Sequence, residues 1–179
     1  MQCNQNGSAS LLSVLKNIDL SAYDSLVVGP GIGLESKDWK KSKEYLFDFE
    51  GLLILDADAL NRISESQLGP KFFLERKFKT WITPHSKEFL RLFPHLKSKT
   101  NVGLALKAAQ EFNIGVLLKG ANSVVADNKN VWQLFGTDPQ TARAGLGDLL
   151  SGFVGGCSAI DLNYSRNLTT DFFAKYVLL

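Results

Sequence analysis

The chain has 179 residues, 45% of them apolar and 21% charged, with a net charge of +2, which is enough for one packed domain and too little for two comfortable ones. Its 20 basic residues are scattered, with no aromatic-interleaved basic run, so neither composition nor charge points to a nucleic-acid partner. The two cysteines, Cys3 and Cys157, encode no disulfide framework or metal cluster; the chain has no apolar run long enough for a membrane span, and the start MQCNQNGSAS lacks the regions of a signal peptide, so a cytoplasmic protein is expected.

In chain order, short apolar runs bounded by turn residues occur at SLVVG (25–29), LLIL (52–55), TWIT (80–83) and GVLLK (115–119). Continuous apolarity without alternation predicts strands buried on both faces, as in a parallel sheet. Helix-like segments lie between them. The clearest is 101–113, with Val102, Leu106, Ala109 and Phe112 on one face and Asn101 as the expected N-cap. SVVA (123–126) and VWQL (131–134) flank DNKN and predict a hairpin at the sheet edge. Residues 149–160, rich in Gly, Ala, Ser and Cys, predict a buried helix packed closely on the sheet. In the last stretch, Phe172, Phe173, Tyr176 and Val177 suit an apolar helix face that packs on the core. The expected fold is one α/β domain over residues 1–179 with a mostly parallel sheet.

Each of the first four strands leads into a polar or glycine-rich motif: GPGIG, DADALN, TPHSKE and KGANS. Ligands of open α/β sheets bind outside the carboxyl ends of the strands, so four such motifs in succession describe the lining of one cleft. GPGIG is not a dinucleotide fingerprint, because Leu34 stands where its third glycine belongs, and no Gly-Lys-Ser/Thr follows to make a P-loop. It is either a loop that lets a flat ligand approach the backbone or a plain tight turn. In DADALN, Asp56 and Asp58 suit a divalent ion, and Asp58 equally suits a helix N-cap. In TPHSKE, Pro84 opens a helix, leaving His85 at the strand end and Glu88 in the first turn, both aimed at the cleft. Glu88 either complements the helix dipole or orders magnesium-bound water beside phosphates. Lys119 is either solvated or, as the better reading, balances phosphate charge.

Residues 145–148, Gly-Leu-Gly-Asp, run straight into an apolar helix. Glycines let backbone N–H groups reach a phosphate, and the positive end of the helix points at the same spot. Asp148 then either caps the helix or works on the reacting group, taking a proton from a hydroxyl or holding a metal.

In this order VVGPGIG, LDADALN, ITPHSKEF, LLKGANSVVA and AGLGD closely resemble the ATP- or ADP-dependent NAD(P)H-hydrate dehydratases, members of the ribokinase-like superfamily, over residues 11–160. The resemblance implies a three-layer ribokinase-like fold and a repair enzyme that dehydrates hydrated NADH or NADPH, with ADP or ATP as co-substrate and Mg2+. It implies that Gly31, Gly33, His85 and Asp148 contact the hydrated nicotinamide nucleotide. Lys119, Gly120, Ala121, Asn122, Ser123, Gly145 and Gly147 would bind the adenine nucleotide, with Asp148 as the catalytic residue and Glu88 near the metal through water. Two departures stand out: Arg143 and Leu146 occupy positions where the family usually has Thr and Ser. Family members also begin with a further quarter of a domain and continue past Leu179, so a partial domain is expected, with an exposed sheet edge at the first strand. The implied partner is a second copy of the chain or the remaining N-terminal part of its own domain. The competing expectations are a hydroxymethylpyrimidine-type kinase of the same superfamily, which often has Asn in place of His85, and a non-catalytic nucleotide-binding fragment.

Overall fold

The computed structural model of the chain describes residues 10–33, 36–135 and 145–165. Six strands, β1 (Ser25–Val28), β2 (Leu52–Leu55), β3 (Thr80–Ile82), β4 (Gly115–Leu118), β5 (Val124–Ala126) and β6 (Val131–Gln133), lie side by side in chain order in one sheet. The first four run parallel, and β5 and β6 fold back antiparallel as the expected edge hairpin. All six fall within the apolar runs. β2, β3 and β4 are buried along their whole length, which is why their sequences show no alternation. Among the described residues β1 pairs only with β2, leaving the expected edge.

Seven α-helices are described: α1 (Leu11–Lys16), α2 (Ser36–Asp48), α3 (Ala57–Glu65), α4 (Phe72–Glu75), α5 (Ser86–Leu92), α6 (Asn101–Phe112) and α7 (Leu146–Ser165). Parallel strands that step always in one direction, with crossovers of one hand, put every crossover helix on the same face. Residues of α1 to α6, such as Leu46, Ile63, Phe72, Phe89 and Ala108, accordingly form one core with Leu53, Leu55, Ile82, Val116 and Val124. The opposite face carries Leu52, Ile54, Trp81, Leu117 and Val125, and Val154 of α7 packs there. Two helical layers around one sheet make the three-layer α/β fold. Among the described residues no helix is long and apolar enough to cross a membrane.

Three local expectations need correction. The N-cap of α6 is Thr100, whose hydroxyl accepts the Gly103 N–H at 3.1 Å, so Asn101 is the first helical residue. The helix after β3 opens at Ser86 with His85 as its cap, leaving Pro84 outside. The helix over 149–160 is buried on one face only: Ser151, Val154 and Ser158 are inside, whereas Leu149 is 68% and Ile160 61% exposed. Cys3, Leu34, Arg143 and Phe172 to Val177 lie outside the described residues.

Candidate active site

Because β1 to β4 are parallel, GPGIG, DADALN, TPHSKE and KGANS all leave the sheet at the same end. The first two loops are pressed together. A Cβ on Gly29 would lie 1.7 Å from the Asp56 carbonyl oxygen, and the residue sits at φ 141, so only glycine allows this approach. Asp56, not Asp58, is the N-cap of α3: its Oδ1 accepts the Ala57 N–H at 2.8 Å. Asp58 lies in the first turn, and its Oδ2 accepts the Gly33 N–H at 2.8 Å. Ala57 itself is at φ 47, the left-handed region that costs a residue with a Cβ on the order of 1 kcal/mol. The strain sits where the two loops meet.

Asp56 is the hub of the floor beneath the cleft. It is 1% exposed, and its Oδ1 also accepts from Lys119 Nζ at 2.8 Å. Its Oδ2 accepts from the Ser151 hydroxyl on α7. Ser151 Oγ lies 3.0 Å from the Gly147 carbonyl and 3.4 Å from Thr83 Oγ1 on the strand side. Asp56 therefore ties the ends of β2 and β4 to the second turn of α7, and Ser151 extends the link to the end of β3. Lys119 is not a solvated lysine, since its side chain is 21% exposed and ion-paired. Nor does Asp56 offer a free carboxylate to a metal. Among the described residues no cluster of three or more His, Cys, Asp or Glu side chains is arranged for one.

TPHSKE is built by a capping box. His85 Nδ1 accepts the N–H groups of Lys87 at 3.1 Å and Glu88 at 3.4 Å, while Glu88 Oε2 accepts the His85 N–H at 2.9 Å. With Nδ1 accepting, the neutral ring carries its proton on Nε2, which lies 3.4 Å from Glu88 Oε1. The His85 side chain is half exposed at the rim, whereas that of Glu88 is 9% exposed and turned back onto the helix start. The Lys119 N–H donates to the Pro84 carbonyl at 2.8 Å, which sets the TPHSKE and KGANS loops side by side. KGANS closes on itself, with Ser123 Oγ between the Gly120 N–H at 3.2 Å and the Gly120 carbonyl at 3.0 Å.

Lys119 also reaches the glycine turn at the start of α7. A Cβ placed on Gly147 would meet Lys119 Nζ at 3.6 Å, the nearest atom from outside its own helix. Gly145 is at φ 83 and its carbonyl accepts the Leu149 N–H at 3.1 Å, opening a helix of 20 residues. The start of α7 and the Lys119 ammonium, itself paired with Asp56, thus lie close together, and a helix N-terminus is a place where an anion is favoured. Asp148 and Gly31 stand exposed at the rim. Ser151 and Thr83 escaped sequence reasoning. The signal for Ser151 was a hydroxyl one helical turn after Gly147, on a face whose other members, Ser158 apart, are Leu, Val and Gly.

A family model described as NAD(P)H-hydrate dehydratase matches residues 4–174. The chain belongs to this family. Among NAD(P)H-hydrate dehydratase relatives, the bifunctional NAD(P)H-hydrate repair enzyme Nnr of Synechocystis is 38% identical over 146 residues, 81% of this chain and 27% of that protein. The enzyme of the same name from Gloeobacter violaceus is 38% identical over 157 residues, 84% of this chain and 28% of that protein. The chain therefore spans little more than a quarter of the length of these relatives. Among solved structures, an ADP/ATP-dependent NAD(P)H-hydrate dehydratase from Bacillus subtilis, co-crystallized with ATP/Mg2+ and soaked with CoA, superposes with TM-score 0.64 at 22% identity, covering 86% of this chain and 54% of that one. A ribokinase-like superfamily protein from Enterococcus faecalis gives TM-score 0.70 at 21% identity, over 93% of this chain and 55% of that one. At these identities the likeness is one of fold, and the fold is ribokinase-like.

Proposed function

We propose that this chain carries the nucleotide-dependent dehydration of hydrated NADH or NADPH, restoring the working cofactor at the expense of ADP or ATP. The observation that carries the proposal is the meeting of Lys119 with Gly147, which joins the KGANS loop and the glycine turn into one anion site beside the exposed Asp148. Phosphates bound there would be held by the ammonium and by backbone N–H groups of residues 145–148, with Gly120 to Ser123 under the rest of the adenine nucleotide. Gly31, Gly33 and His85 then line the neighbouring part of the rim, where the hydrated nicotinamide would sit.

The chemistry follows from that juxtaposition. Asp148 takes the proton of the ring hydroxyl as its oxygen attacks the terminal phosphorus, and the bond from that phosphorus to the nucleotide breaks with its electron pair on the departing nucleotide. The N–H groups of the turn stabilise the charge on the phosphoryl oxygens in flight. The lone pair of the ring nitrogen then expels phosphate, and loss of a proton from the adjacent ring carbon restores the double bond. A magnesium ion accompanying the phosphates would neutralise part of their charge. Glu88 fits it through water only, since its carboxylate is largely buried and already faces the His85 N–H and ring.

The test is recovery of reduced-nicotinamide absorbance from hydrated NADH with magnesium and ADP or ATP, together with release of free phosphate. Asp148→Asn is expected to lower kcat by about 100-fold or more while retaining nucleotide binding. Near-normal turnover by that variant would remove Asp148 from the mechanism, and a stable phosphate ester as product would replace the dehydratase with a kinase.

A further inference from the structure

The end of the GPGIG loop is gripped by one face of α3. Gly33, at φ 68, donates its N–H to Asp58 Oδ2 at 2.8 Å. Arg62 donates through Nε to the Gly33 carbonyl and through its NH2 group to the Ile32 carbonyl, both at 2.6 Å. Asp58 and Arg62 are four residues apart, so they stand one above the other on the helix. Their polarity matches that of the backbone they face, carboxylate to N–H and guanidinium fork to two carbonyls. Bonds to charged groups are the stronger kind.

The loop needs such a grip. It contains three glycines at positive φ, and the bond inside it, from the Ile32 N–H to the Gly29 carbonyl, is long at 3.3 Å. Arg62 is 5% exposed, and its guanidinium carbon lies 6.0 Å over the Trp39 ring, which restrains it from the side of α2. Keeping a guanidinium in so dry a place is costly, and the groups it repays that cost with are carbonyls of a cleft loop.

We propose that Asp58 and Arg62 are positioning residues that hold the Gly31–Gly33 backbone in the conformation that receives the hydrated nicotinamide nucleotide, setting its affinity without touching it. The identity of that ligand rests on the dehydratase function proposed above; the clamp itself does not. Asp58→Ala, Asp58→Asn and Arg62→Lys in the full chain separate the two. Asp58→Ala should speed hydrogen exchange of the Gly33 amide about tenfold or more and raise KM for hydrated NADH by a similar factor, leaving kcat and KM for ADP near wild type. Asp58→Asn should restore both, because its carbonyl oxygen accepts the same N–H. Arg62→Lys should fall between, a single ammonium being unable to grip two carbonyls as a fork.

Gly33 exchange unchanged in Asp58→Ala would overturn the clamp whatever the activity. Faster exchange with a loss confined to kcat, or shared by both substrates, would overturn its role in binding and leave a scaffold residue. A wild-type chain that recovers no reduced cofactor would overturn the assignment of the ligand while the Gly33 exchange result stood on its own.

Discussion

Arg76 shows what a buried cation does when its partners are carbonyls. It is 6% exposed, its Nε donates to Thr80 Oγ1 at 3.0 Å, and its terminal nitrogens donate to the carbonyls of Leu46, Phe47 and Gly51. Phe49 and Phe78 flank the guanidinium with centroids 5.7 and 5.6 Å away. Burial lowers its pKa well below the usual guanidinium range, to about 10. A cation whose folded pKa is depressed releases its proton from the fold first, so its contribution to stability rises with pH only above about 10, up to the ordinary guanidinium pKa. Across the neutral range it stays charged and its burial penalty is constant. What removal changes there is the hydrogen bonding of the α2 C-terminus and the turn into β2. Arg76→Met is expected to cost about 3 kcal/mol in urea unfolding, with no pH dependence near neutrality, and Arg76→Lys to recover only part of it. A loss under about 1 kcal/mol would mean that water satisfies those carbonyls equally well.

At the scale of elements, α7 decides where the proposed anion site lies, and its seat on β1 decides α7. The Ser25 hydroxyl donates to the Gly155 carbonyl at 2.8 Å, and a Cβ on Gly155 would come within 2.6 Å of Val27 Cγ2. Gly155→Leu should therefore lift the helix from the sheet, costing about 1–3 kcal/mol and weakening ADP binding through displacement of Gly145–Asp148. Gly156→Ala is the contrast: nothing lies within 4 Å of its added Cβ, so thermal melts should show a gain of about 0.5–1 kcal/mol with ADP affinity kept. Equal losses in the two variants would sink the packing argument. β2 to β5 were legible in the sequence because burial along their whole length writes an uninterrupted apolar run, and β6 because it pairs with β5 across the turn DNKN. The residues at strand ends were legible because they break the apolar runs at the end of a parallel sheet where ligands bind, even though Asp56, Asp58 and His85 also cap helices or tie loops. Less legible were the first residues of α5 and α6, since His85 and Thr100 compete with neighbours one position away that can also start a helix. The exposed face of α7 was hidden by its composition: small and large apolar residues are mixed all round it. The contact of Asp56 with Ser151 spans 95 positions and follows from three-dimensional packing alone.

For the whole molecule, the chain-ordered sheet sets a gradient of stability. Every residue of β2, β3, β4 and β5 is buried. At the two edges burial falls off: only Val28 of β1 is buried, and no residue of β6 is, Trp132 being 47% exposed. Edge strands with one neighbour open by local fluctuation, while central strands open only when the core is lost. Native-state hydrogen exchange should therefore rank the amides, with those of Ile54, Ile82 and Val116 exchanging only by global unfolding and those of β6 exchanging well before. Urea should quicken the central amides steeply and the β6 amides hardly at all, because local opening exposes little surface. Amides of β6 that matched β4 in rate and urea slope would show instead that the hairpin unfolds with the core. The site stands on the protected side of this gradient. Asp56 follows β2, His85 follows β3 and Lys119 follows β4, so the Asp56–Lys119 pair should persist while β6 opens and closes, and constellations on rigid elements keep their geometry. β1 is the exception, and GPGIG extends from it. A loop on the more weakly held strand is the one that most needs a second support, which α3 supplies from the protected interior through Asp58 and Arg62.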